Sequence, residues 1–184
     1  MDVLYFLQQY QLAKESNEMM IQNQKEAFSL LSSQQCQWVE MFNDEMEQLG
    51  CDCGPGFTGG FCWGVFMLSY SRTGLKSKKV MARIYVREQE LILRLYLSKL
   101  DAHRAYLEQL PENIRQVFTG PFGQCSHCHN QKEGNCRFRK VYTLEGRLIE
   151  KCNGYTFQFF SPEQEDMRQY LGLIREFYPV KKGK

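Results

Sequence analysis

Histidine and proline are scarce in this sequence, long apolar runs are missing, and neither sign of charge dominates. Only three histidines occur in 184 residues, two of them inside one cysteine-rich segment, so spacing assembles no nucleophile, base and orienting group. No stretch approaches the roughly 18–20 apolar residues that span a bilayer. The N-terminal MDVLYFLQQYQLAKESNEMM lacks the basic region of a secretory signal, and glutamines break up its apolar residues. These absences predict a cytoplasmic chain without a membrane partner. Lys plus Arg number 23 against 21 Asp plus Glu, a net charge of +2, far from the strongly basic balance of a typical nucleic-acid domain. Net charge therefore names no partner.

Glycine and proline are also absent from the first 49 residues, which removes the usual helix breakers and predicts a helical arm over 1–49. Val3, Phe6, Tyr10, Ala13, Met20, Ala27 and Leu31 alternate at spacings of three and four, with Asn17 and Gln24 interrupting. That seam admits a homodimer through the N-terminal helix. The competing reading packs the arm on its own domain. A second helix fits Ser33 as N-cap, Trp38, Met41, Phe42, Met46 and Leu49 as its buried stripe, and Gly50 as its stop.

What is abundant is apolar residues, 43% of the chain, enough for one substantial core. WGVFMLSYS, VMARIYV and LILRLYLS read as a three-stranded meander, the last two joined by a turn at Glu88 and Gln89. A two-residue loop sets Val86 opposite Leu91, Ile84 opposite Leu93, Ala82 opposite Leu95 and Val80 opposite Leu97, all apolar, which identifies the core face. The other face pairs Tyr85 with Ile92, Arg83 with Arg94 and Met81 with Tyr96. Two short helices, LDAHRAYLEQL and one opened by Pro111, follow. CRFRKVYTLEGRLIEKC suggests a hairpin turning at Glu145 and Gly146, and YTFQFF a further strand. Ser161, Pro162 and Gln164 fit a capping-box start for a last helix striped by Met167, Tyr170, Leu171, Ile174 and Phe177. The fold class expected is α+β: an antiparallel sheet packed with N- and C-terminal helices, the domain running over 50–184 with a zinc-knuckle insertion over 120–155.

Eight cysteines in a reducing compartment call for metal or burial rather than disulfides. CSHCHNQKEGNC sets Cys125 and Cys128 as a C-x-x-C pair, with Cys136 seven residues on and Cys152 fifteen further. Four thiolates satisfy tetrahedral Zn2+, and one tight knuckle supplies two of them, so the pattern predicts a structural zinc ion. Continued at full register, the hairpin sets Cys152 opposite Arg139, on the face away from Cys136; the strand must then bend, or His127 or His129 replaces Cys152 as fourth ligand. Other readings are a redox pair, an iron–sulfur cluster and an open catalytic zinc; the redox pair lacks its helix N-terminus, and four cysteines favour a closed site. Cys36, Cys51, Cys53 and Cys62 form a weaker group, better read as buried small apolar residues. GPGFTGG lacks the Lys and Ser/Thr of a P-loop and precedes a strand, so it reads as a lid beside a pocket.

Recognition is expected on the non-core sheet face, from Arg83, Arg94, Tyr85, Tyr96 and Met81. Guanidinium groups grip carboxylate or phosphate bidentately, and tyrosines stack on flat rings, which suits a small anionic or aromatic ligand. The same side chains, with Arg137, Arg139 and Lys140, suit RNA or another single strand. A structural alternative has the N-terminal helices cover this face and neutralise the arginines with Asp44, Glu45 or Glu47.

The stretch KVMARIYVREQELILRLYLSKLDAHRAYLEQLPENIRQVF resembles small uncharacterised bacterial domains in which a meander is followed by short helices. The resemblance implies a small α+β fold of bacterial, cytosolic origin, with the knuckle as an appended extension, and carries no activity or site residue. The function expected is a zinc-stabilised binding or regulatory module. Nucleic-acid binding is the second reading, and a zinc-dependent enzyme the third.

Overall fold

A computed structural model describes residues 3–72, 79–120, 140–151 and 156–179, with the side chains at 3–7, 10, 13 and 62 left aside. The arm free of glycine and proline is two helices, α1 (Val3–Ser29) and α2 (Ser33–Gln48). Ser32, not Ser33, caps α2: its Oγ accepts from the Gln35 backbone N–H, while the Gln35 side chain accepts from the Ser32 N–H. This reciprocal pair satisfies two donors a helix start leaves open. Gly50 stops the helix at a φ of +70°, a conformation that suits glycine.

β1 (Cys51–Asp52), β2 (Thr58–Gly59), β3 (Phe66–Arg72), β4 (Val80–Arg87), β5 (Glu90–Tyr96) and β8 (Thr156–Phe160) form one sheet in which every pairing is antiparallel. Its order is β1-β3-β4-β5-β8, with β2 also on β3. The β4–β5 register is the expected one from Ala82 opposite Leu95 to Arg87 opposite Glu90, closing on the Glu88–Gln89 turn. β8 joins this sheet beside β5 rather than extending the C-terminal hairpin. That hairpin, β6 (Lys140–Leu144) and β7 (Arg147–Lys151), turns at Glu145 and Gly146, both at positive φ, and stands as a separate two-stranded sheet.

One face of the main sheet carries Leu68, Ile84, Leu93 and Phe159 across four strands, and Tyr70, Ala82, Leu95 and Phe157 beside them. Against it pack α2 through Trp38, Val39, Phe42 and Met46, and α5 (Met167–Phe177) through Tyr170, Leu171, Leu173 and Ile174, in one continuous core. Trp38 stacks on Phe42 at 5.1 Å and meets Tyr170 edge-on at 6.2 Å. Met41, expected inside, is 39% exposed, and Val39 takes the buried place. α2 thus belongs to the domain core, while Ala27 anchors only the last turns of α1, whose Leu12, Met19 and Ile21 are exposed. The C-terminal end of the proposed dimer seam is therefore used on the chain's own domain.

The capping box expected at Ser161 does not form. The Ser161 N–H extends the sheet ladder to the Leu91 carbonyl, the Glu163 carbonyl accepts from Trp38 Nε1, and α5 starts at Met167. The two short helices appear as a 3-10 turn over Leu100–His103 running into α3 (Arg104–Leu107), and α4 (Glu112–Thr119). The β6–β7 hairpin docks on them: the Thr143 N–H donates to Asp101, the Glu145 N–H to Glu108, and Tyr142 Oη to the Phe118 carbonyl. No helix among the described residues is long and apolar enough to cross a membrane.

Candidate functional site

The second face of the sheet follows from strand alternation. Ser69, Arg83, Arg94 and Gln158 stand in one row across β3, β4, β5 and β8, and Met67, Tyr85, Ile92 and Phe160 in the next. Tyr96 and Thr156 extend the array by one further pair. Four of the five residues expected on this face, Arg83, Arg94, Tyr85 and Tyr96, are brought together. Met81 is not with them. A bulge in β4 shifts the β3 partner from Ala82 opposite Tyr70 to Val80 opposite Ser71, and Met81 sits in the main core at 1% exposure. Strict alternation fails where one strand gains a residue.

The face is partly closed, though not by the N-terminal helices. Glu45 pairs with Arg175 on the opposite side of the sheet, and Asp44 and Glu47 are exposed. The cover is the chain between β2 and β3. Gly60–Val65 folds over β4, where the Val65 N–H donates to the Val86 carbonyl and Arg87 Nε donates to the Trp63 carbonyl, each at 2.8 Å. This sets the Trp63 ring 4.3 Å from the Arg94 guanidinium carbon. Beneath it Met67, Tyr85 and Ile92 form a small apolar cluster of their own.

Arg94 is 5% exposed. One amino group donates to Thr156 Oγ1 at 3.2 Å, and its Nε is buried with no acceptor. Arg83 donates to Ser69 Oγ at 3.1 Å and to Tyr85 Oη at 3.2 Å, and its guanidinium lies 5.4 Å from the Tyr96 ring centroid. Partial burial works against the Arg83 charge, but hydrogen bonding to Tyr85 and the nearness of Tyr96 hold its pKa above the ordinary range. Burial, reinforced by Tyr85, pushes the Tyr96 hydroxyl up to about 12. Among the described residues no carboxylate is ion-paired with either arginine. Among the described residues the acceptors on these two cations are hydroxyl oxygens, so there donors outnumber negative charge.

Cys125, Cys128, Cys136 and Cys152, with His127 and His129, lie outside the described residues, as do Arg137 and Arg139. Among the described residues no group of three or more His, Cys, Asp or Glu could hold a metal ion. Lys151, the residue before Cys152, is engaged within the domain: its Nζ donates to the Val117 carbonyl above the Phe157 ring, and burial pulls its pKa down to about 8. Burial likewise raises the Cys36, Cys51 and Cys53 thiols, which opposes thiolate formation and fits their reading as small apolar fillers.

Trp63 is the residue that sequence reasoning missed. It was assigned to the start of a strand, whereas Gly60 and Gly64, five positions of chain with no alternation, mark an excursion instead. His103 is partly buried: its Nδ1 is 2.8 Å from Glu176 and its ring lies 4.0 Å from that of Phe177. Comparison of the chain with protein-family models, with curated proteins and with solved structures found no match.

Proposed function

We propose that this protein is a binding module that captures a small anionic ligand with a flat apolar body on the second sheet face, at the Arg83–Arg94 pair beside the Trp63 ring that stacks on Arg94. The carrying observation is Arg94, a nearly buried cation beside a second arginine, with an unpartnered Nε and no ion-paired carboxylate among the described residues. Burying a charge costs several kcal/mol unless it is paired, and like charges directly opposite on neighbouring strands repel. An anion removes both costs. A planar guanidinium fork takes carboxylate or phosphate through two parallel hydrogen bonds, while Tyr96, Ile92 and the partly exposed Trp63 and Phe160 supply apolar and aromatic walls.

Burial also weighs against a nucleic-acid strand. A stacking platform for single-stranded RNA presents its arginines and rings in the open, whereas Arg94 and Tyr85 are 5% and 2% exposed. In the same reading Cys125, Cys128, Cys136 and Cys152 hold a structural zinc ion, a role supported by their spacing. Catalysis is not part of the reading.

The test compares benzoate and phenyl phosphate with neutral benzamide by thermal shift and calorimetry, on the wild type and on Arg94→Met. The anions stabilise the wild type, benzamide does not, and Arg94→Met abolishes the response. Equal responses to benzoate and benzamide would remove the role of charge. Oligonucleotide binding that weakens steeply with salt and survives Arg94→Met would favour the nucleic-acid reading.

A further inference from the structure

The Arg94 Nε is out of reach of solvent as well as unpartnered, and the Trp63 ring of the Gly60–Val65 segment lies over the same guanidinium, so no ligand atom reaches that nitrogen in this arrangement. We infer that Gly60–Val65 is a lid over the anion site, which swings away to admit the ligand and closes with Trp63 on the Arg94 guanidinium. The inference rests on the anion-binding reading above and concerns how that site is gated.

The base of the segment is fixed. Gly59 pairs with Phe66 in the ladder, and the Gly60 N–H donates to the Val65 carbonyl at 3.0 Å, so the piece between moves as a unit. Among the described residues its attachment to the sheet is slight by comparison: hydrogen bonds from the Val65 N–H and from Arg87 Nε, and the Trp63 stack on Arg94. Two of its apolar side chains point away from the core: Phe61 is 88% and Val65 56% exposed. Segments held by few buried apolar contacts occupy the low end of the local stability range and open first. Phe61 also holds a φ of +54°, unfavourable for a bulky residue.

The closed seat depends on two glycines. A Cβ on Gly64 would stand 2.8 Å from the Val86 carbonyl oxygen and 3.3 Å from Tyr85 Cβ, and one on Gly60 would stand 2.5 Å from the Gly64 carbonyl oxygen. Gly64 therefore sets how closely the lid approaches β4, while Trp63 is a positioning residue that acts on the ligand through Arg94.

Arginine-specific modification of the full chain by phenylglyoxal, read site by site by peptide mass spectrometry, tests this without knowing the ligand. In the wild type Arg94 reacts about tenfold or more slowly than exposed Arg104, because reaction waits for opening. Gly64→Ala and Trp63→Ala each speed Arg94 modification about tenfold and leave Arg104 unchanged. Trp63→Ala adds no atom to the seat and keeps the test valid if Gly64→Ala does not fold. Phenyl phosphate protects Arg94 in the wild type and less in either variant. Unchanged Arg94 rates in the folded variants, with phenyl phosphate still bound, overturn the lid and leave the anion site standing. Faster rates with no phenyl phosphate bound by any form overturn both.

Discussion

Arg94→Met provides a stability test of whether the buried guanidinium serves the fold or a ligand. Its interactions with Trp63 and Thr156 return about 0.5–2 kcal/mol and about 1.5–3 kcal/mol respectively. Against them stands a desolvation cost of several kcal/mol for a buried ion. Arg83 adds to that cost. The Arg83 and Arg94 guanidinium carbons lie 5.4 and 5.8 Å from the same Tyr96 ring centroid. They are thus within about 11 Å of each other, where two unit charges repel by about 1.5 kcal/mol or more at an effective dielectric near 20. The terms nearly cancel, and methionine fills a similar volume without the charge. Arg94→Met in dialysed protein should therefore unfold in urea within about 1 kcal/mol of the wild type, or be more stable. Saturating phenyl phosphate should then reverse the order by stabilising the wild type alone. A loss above about 3 kcal/mol without ligand, the cost of breaking a compensated buried pair, would mean that Arg94 is neutralised by the protein itself and serves the fold.

Titration yields a second expectation. Lys151 has its pKa lowered to about 8 from 10.5, so its neutralisation adds stability between those values. Tyr96 and Tyr178 are raised to about 12 from 10.0, and Tyr70, Tyr142 and Tyr170 are raised as well, so their contribution is complete below pH 10 and lost as pH climbs through their folded values. The raised Cys36, Cys51 and Cys53 thiols lose their contribution above their ordinary value of 9.0 in the same way, so urea melts should give a stability maximum at about pH 9 and then a fall that steepens with tyrosinate absorbance above about pH 10; a decline beginning at about pH 8 would contradict this. Phe42→Ala removes a fully buried ring stacked on Trp38 and set edge-on to Tyr70 at 5.3 Å. It should cost about 3–5 kcal/mol and lower Tm by roughly 10 °C, measurable by calorimetry. Freshly purified reduced protein should contain stoichiometric zinc, and Cys125→Ala should lose it while the sheet core still unfolds cooperatively. Global unfolding of that variant would show that the cysteine segment supports the whole domain.

The meander was legible because its pattern leaves little freedom. A two-residue turn and eight apolar side chains fix the β4–β5 register, since a slip by one would expose Ile84, Val86, Leu91 and Leu93 together. The facing of Arg83 and Arg94 follows from that same arithmetic. The bulge at Met81 was not legible, because a bulge depends on how β3 meets β4 in the folded sheet, which alternation along β4 alone does not encode. The missing cap at Ser161 has the same origin: a capping box is a local preference, and the Leu91 carbonyl 70 positions earlier offered the Ser161 N–H a ladder partner. Trp63 escaped notice for a third reason. Its importance comes from lying over Arg94, a contact between an irregular turn and a strand that neither periodicity nor composition encodes.

The most direct test of the anion site is native mass spectrometry of the protein purified at low salt and then incubated with phenyl phosphate, run beside Arg94→Met and Arg83→Met. One phenyl phosphate should bind per wild-type chain and none to either variant. An adduct of the same stoichiometry on Arg94→Met, or none on the wild type, would contradict this.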